Sequence, residues 1–126
     1  MTNHTYQGTR ILKPSPFGGH YVEGTPVTVD GEPLPMSDLA RRKSPTGYEW
    51  GYGGSGPSAL AHSILTYEFG EQVADRHFQE FKRDIVGAFP RDQGGSEWTL
   101  TSAEIRAWLH SRNLLRAIAA EIEGHA

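Results

Sequence analysis

The sequence predicts an α+β fold: a small antiparallel N-terminal sheet packed on three to four C-terminal helices. Three observations lead there. Seven of the eight prolines (Pro14, Pro16, Pro26, Pro33, Pro35, Pro45 and Pro57) fall in the first 57 residues, and only Pro90 follows. Proline lacks a backbone donor and breaks helices, so the first half is expected to hold strands, turns and loops. Beyond residue 57 the apolar residues recur at helical spacing. Finally, 126 residues is the length of one ordinary domain with one core. With no internal repeat and no dividing linker, residues 1–126 read as a single domain. Strands and loops fill 1–45, a glycine-rich loop 46–58, and helices 59–126. The order of elements is α+β rather than alternating β-α units.

Tyr6 to Leu12 reads as one extended piece and Tyr21 to Glu23 as a second, with Pro14 to Gly19 a loop between them. Val27-Thr28-Val29 is β-branched throughout, and Asp30-Gly31 after it is a strong tight-turn signal. Glu32 to Leu34 then pairs back as an edge, because Pro33 and Pro35 restrict it to that position. Met36 to Lys43 has room for one helical turn capped by Ser37.

Pro57 to Phe69 reads as a helix, with proline at its first turn and Gly70 as its stop. Its apolar residues Leu60, Ala61, Ile64 and Leu65 share a face. From Glu71 to Val86 a second helix carries Ala74, Phe78, Phe81 and Ile85, a core-facing stripe. Pro90 and Gly94-Gly95 form the next break. Thr101-Ser102-Ala103-Glu104 is a capping box that opens a helix burying Ile105, Trp108 and Leu109. That helix either runs on to Leu115, Ile118 and Ile122 or bends between Ser111 and Asn113. Trp98, just ahead of the cap, is expected as a hydrophobic staple or core plug.

Composition removes several kinds of chemistry. There are no cysteines, which excludes disulfides, thiolate catalysis and zinc-thiolate or iron–sulfur sites. The formal net charge is −3 with mixed signs, which argues against nucleic acid as a direct ligand. No apolar run approaches the ~18 residues of a membrane span, and the start lacks a signal-peptide pattern. The expectation is a cytoplasmic protein with no membrane association.

One segment is unusual. Residues 44–58 gather five glycines and three aromatics immediately before a helix. A glycine-rich turn entering a helix aims several amides one way and, with the helix dipole, favours an anion. Gly53 and Gly54 lie at the turn itself. Lys43, Ser44, Thr46, Ser55 and Ser58 offer further donors, and Trp50 and Tyr52 a stacking wall. A phosphate, nucleotide or carboxylate suits such a place. The structural alternative is commoner: such turns exist so that aromatics pack and the chain reverses. Three known patterns fail here. Gly51, Gly53 and Gly56 fit G-x-G-x-x-G but lack the β-α-β context. No Lys-Ser or Lys-Thr follows, as a phosphate loop needs. Pro57 stands where the nucleophile elbow needs glycine.

Of the six histidines none forms a metal-binding pair, and no metal or cofactor is expected. His62 sits one and a half turns past Pro57, where it is able to face the glycine loop. His77, beside Phe78, reads as a core-edge residue. Arg41-Arg42-Lys43 is a basic patch suited to an acidic partner or a phosphate, and equally an ordinary solvated turn. It is too small to carry nucleic-acid binding.

The string Lys-Ser-Pro-Thr-Gly-Tyr-Glu-Trp-Gly-Tyr-Gly-Gly-Ser-Gly-Pro-Ser-Ala-Leu-Ala, residues 43–61, resembles the hallmark of a family of small uncharacterised proteins carried by bacterial plasmids, phages and other mobile elements. Tyr6-Gln7-Gly8, Val27-Thr28-Val29-Asp30-Gly31, Phe81-Lys82 and Trp98-Thr99-Leu100-Thr101 extend the resemblance from Tyr6 to about Leu109. Lys43 departs from the pattern, which has histidine there, and this weighs against catalysis at that position. The resemblance implies a mobile-element setting in a bacterial host and no mechanism. Three classes of function follow in order. The first is a stoichiometric protein binder, an inhibitor of a host defence complex of the anti-CRISPR or anti-restriction kind. The second is a binder of a phosphate-containing small molecule through residues 51–58. The third is a small enzyme with His62 or Glu49 as acid–base.

Overall fold

The structure is a computed structural model and describes residues 3–91 and 97–124. Five strands come first: β1 Thr5–Thr9, β2 Ile11–Pro14, β3 His20–Gly24, β4 Val27–Val29 and β5 Glu32–Pro33. Helices α1 (Asp38–Lys43), α2 (Ser55–Phe69) and α3 (Glu71–Asp84) follow, then a 3-10 turn at Val86–Ala88. Strand β6 (Glu97–Thr101) and helix α4 (Ser102–Gly124) complete the order. The fold is α+β.

One antiparallel sheet has the order β5-β4-β1-β6. Tyr6 of β1 pairs with Val29 on one side and Leu100 on the other, and Gly8 pairs with Val27 and Trp98. Those inward residues are all buried, while Gln7 and Thr99 face solvent. This is the period-two alternation of a sheet covered on one face. Asp30 and Gly31 both take positive φ, 52° and 85°, which a two-residue hairpin turn with matching twist demands. A second, two-stranded sheet pairs β2 with β3.

Helix α2 is the centre of the molecule. Every residue from Gly56 to Leu65 is buried, so it has no solvent face over that stretch. It packs between the sheet, α1 and α3. The chain leaves α2 through Gly70, whose φ of 93° reverses it into α3. Helix α3 is amphipathic, burying Ala74, His77 and Phe81, with Phe78 and Ile85 partly buried beside them. At the start of α4, the Thr101 Oγ1 accepts from the Glu104 amide at 3.3 Å and the Glu104 carboxylate accepts from the Thr101 amide at 3.1 Å. Both halves of the capping box are therefore formed. Trp108 packs edge-on against Phe81 at 5.0 Å and donates Nε1–H to Asp84 at 2.9 Å.

Several details differ from the sequence reading. The second half is not wholly helical, because β6 crosses back to become an edge of the main sheet. Trp98 is a core plug, 6% exposed and stacked on Phe89, but it is carried by this strand rather than by a helix cap. Tyr6 to Leu12 is two strands, broken at Arg10, where the chain leaves the main sheet. Ile105 is buried, whereas Trp108 and Leu109 are only partly so. Of the two courses left open for α4, it takes the continuous one, running on through Ser111–Asn113. The expected break at Gly94-Gly95 and the side chain of Ile122 lie outside the described residues.

Candidate functional site

His62 does not look toward the glycine loop. It is 1% exposed, and both ring nitrogens are engaged. Nε2 lies 2.7 Å from the Asp75 carboxylate and Nδ1 lies 2.7 Å from Ser37 Oγ. With a carboxylate accepting, Nε2 carries the proton and Nδ1 accepts from the serine. Ser37 in turn caps α1 by accepting from the Ala40 amide at 3.2 Å, and its own amide donates to Ser63 Oγ at 3.1 Å. The order Ser-His-Asp resembles a nucleophilic triad in composition. Here every member is committed: the serine is a helix cap, 8% exposed, and Phe78 closes the imidazole edge-on at 5.2 Å. The network bolts α1 and α3 to α2.

The glycine-rich segment divides in two. Tyr48 and Trp50 point into the core, 8% and 0% exposed. The Tyr48 hydroxyl donates to the Leu34 carbonyl at 3.0 Å, and burial raises its pKa. Gly51 has φ 83°, donates its amide to the Val86 carbonyl at 3.0 Å, and lies where a Cβ would stand 2.7 Å from Arg91 Cβ. Gly54 is the N-cap of α2 with no side-chain cap, and Ser55 is exposed. The Ser58 amide is satisfied by the Gly54 carbonyl at 2.9 Å, and the Ser58 hydroxyl accepts from Lys82 Nζ at 3.2 Å. Ser44 donates to the Gly47 carbonyl at 2.7 Å. Gly53 has open space around it, and Thr46 and Tyr52 are exposed. Arg41 and Arg42 turn back onto Asp38, and Lys43 completes an exposed last turn of α1.

Beside this segment lies a cleft of about 400 Å³ lined by Arg10, Leu12, Gly19, His20, Val22, Glu49 and Arg91. Its roof is the β2–β3 hairpin, in which Leu12 pairs with Val22 and Pro14 with His20, so Leu12, Val22 and His20 face the same way. Its floor is Arg10, 6% exposed, which donates to the Glu49 carboxylate and lies 4.9 Å from the Trp50 ring centroid. Glu49 also accepts from the Trp50 amide at 3.1 Å. On the wall, the Arg91 guanidinium stacks over Tyr52 at 4.5 Å. A second cleft of about 330 Å³ shares Val22 and Glu49 and gathers Ser44, Thr46, Tyr52, Ser55 and Gly56. Among the described residues no group of His, Asp and Glu is placed to hold a metal ion. Likewise no described helix is long and apolar enough to cross a membrane.

A family model described as a family of unknown function, DUF6166, matches residues 6–111. The chain belongs to the DUF6166 family. No curated protein and no solved structure matches it. The DUF6166 match takes in the hairpin, the glycine-rich segment, the His62 network and β6. It stops within α4, so the exposed Leu114, Leu115 and Ile118 fall beyond it.

The candidate residues thus separate. Tyr52, Ser55, Thr46 and Ser44 share one cleft, while Trp50, Ser58 and His62 are built into the interior. Arg10, His20 and Arg91 were not singled out in the sequence. Arg10 carried a signal, for it continues the inward positions Tyr6 and Gly8 and so puts a charge on a core-facing site. Nothing in the sequence marked Arg91 or His20.

Proposed function

We propose that this DUF6166 protein is a mobile-element accessory protein that acts by stoichiometric binding to a host protein complex, as an inhibitor of a bacterial defence system. The observation that supports the binding reading is the β2–β3 arm. It projects from the body with Phe17 at its tip 97% exposed, and Ile11, Tyr21 and Val22 are 38–51% exposed along it. The tip is a defined turn: the Ser15 amide donates to the Gly19 carbonyl at 2.9 Å, and Gly18 and Gly19 take φ of 98° and 69°. An aromatic held out on an ordered turn contributes nothing to the core and fits a partner's pocket. The acid–base reading of His62 has no comparable support, since its nitrogens are spent inside the protein.

The test is a titration against purified restriction and CRISPR effector complexes. Inhibition should saturate near one equivalent, not deepen with time, and be lost in Phe17→Ser with the melting temperature unchanged. Inhibition at catalytic amounts replaces binding by turnover. Failure to inhibit either class of complex removes the host-defence assignment.

A further inference from the structure

The cleft beneath the arm has a charge arrangement that the protein-binding reading does not use. Two guanidiniums and one imidazole face a single carboxylate. Glu49 is matched by Arg10, whose guanidinium is also fixed by the Trp50 ring. Arg91 has no carboxylate partner among the described residues, and its guanidinium carbon lies over the Tyr52 ring, 4.5 Å from the centroid. A planar guanidinium whose orientation is already set loses little freedom on forming paired hydrogen bonds to an oxyanion. His20, on the roof, adds a ring nitrogen donor. Leu12 and Val22 add an apolar strip beside these donors. The volume, about 400 Å³, lies in the range of small-molecule sites.

We propose that the cleft binds a small organic phosphomonoester. Its phosphoryl group is held by Arg91 and His20 next to the Arg10–Glu49 pair, and its organic part rests on Leu12 and Val22. Phosphate is preferred to carboxylate because it brings a charge of about −1.5 to −2 and three acceptor oxygens to a site with more than one donor. This cleft is a different place from the glycine-rich turn, where Gly51, Gly54 and Gly56 lie close against neighbouring side chains, and the ligand lies toward the arm. The inference is independent of whether the arm also binds a protein.

Calorimetric titration of the full chain with phenyl phosphate, inorganic phosphate and benzoate at low salt tests it. Phenyl phosphate should saturate and bind about tenfold more tightly than either of the others, because only it supplies both the dianion and the apolar ring. Arg91→Gln should weaken it about tenfold with the melting temperature unchanged. Val22→Asp, on the exposed arm, should weaken it by charge repulsion. Arg106→Gln, remote and bonded to Asn3, should leave it unaltered. The proposal is overturned if phenyl phosphate shows no saturation by about 10 mM. Benzoate binding equally well, or Arg91→Gln and Arg106→Gln behaving alike, overturns it too.

Discussion

Residues 44–58 and the β2–β3 arm meet at the cleft that Glu49 and Val22 line, and they differ in what their unusual residues do. In the glycine-rich segment the large aromatics Tyr48 and Trp50 face inward, and Gly51 and Gly56 allow close approach of Arg91 and Glu49. In the arm the aromatics Phe17 and Tyr21 face outward, and the glycines only shape the turn. Glycines next to aromatics therefore serve packing in one region and display in the other. The burial of the aromatic, rather than the local composition, tells them apart.

The largest effect expected from this contrast is at Trp50. Trp50→Ala should cost about 3–5 kcal/mol in urea denaturation, from lost burial and the cavity left behind. A cost below about 1 kcal/mol would mean that the segment is not part of the core. Next come the glycines. Gly51→Ala should cost about 1–3 kcal/mol, because alanine is strained at positive φ and meets Arg91. Gly53→Ala, with open space around it, should change stability by less than about 0.5 kcal/mol. Equal costs at the two positions would erase the distinction between packed and open glycines.

Acid should act on the seam between α3 and α4. Burial and the charge of Arg116 push His77 below the ordinary value of 6.5. Burial pushes Glu80 up, but the Arg112 hydrogen bond and the charge of Arg116 outweigh it and leave the carboxyl below its ordinary 4.5. Both folded values lie below the unfolded ones. Their stabilisation is complete above about pH 6.5 and is lost as pH falls through each folded value. Replacing Glu80 with Gln should flatten the lower part of the acid limb in denaturation midpoints measured against pH, and an unchanged limb would remove this assignment. The smallest effect is at the arm tip. Phe17→Ser should alter stability by less than about 0.5 kcal/mol, and a larger loss would place Phe17 in the folded body.

Much of the architecture was legible before the structure. Proline placement separated sheet from helix, Asp30-Gly31 marked its turn, and Gly70 marked the end of α2. Thr101 and Glu104 announced the start of α4. What escaped was long-range. Five residues of alternation at Glu97–Thr101 are too short to stand out beside a capping box, and only pairing with β1 makes them a strand. The site followed the same rule. The glycine-rich segment was conspicuous because its residues are adjacent, whereas Arg10, His20 and Arg91 meet only through folding. His62 was noticed, but its role depends on Ser37 and Asp75, one on each neighbouring helix.

The pairing of β1 with β6 also bears on how this chain leaves the ribosome. His4 and Ser102, hydrogen-bonded to each other at the end of that ladder, stand 98 residues apart in sequence. Strand β1 becomes an interior strand of the sheet, yet one of its sides stays bare until β6 has been made. At about 5–20 residues per second, that edge is open for roughly 5–20 seconds. Messages cut short before β6, or ribosomes stalled there, would release chains with an unsatisfied strand edge, ready to pair with one another. Production of this protein should therefore depend steeply on translation reaching β6.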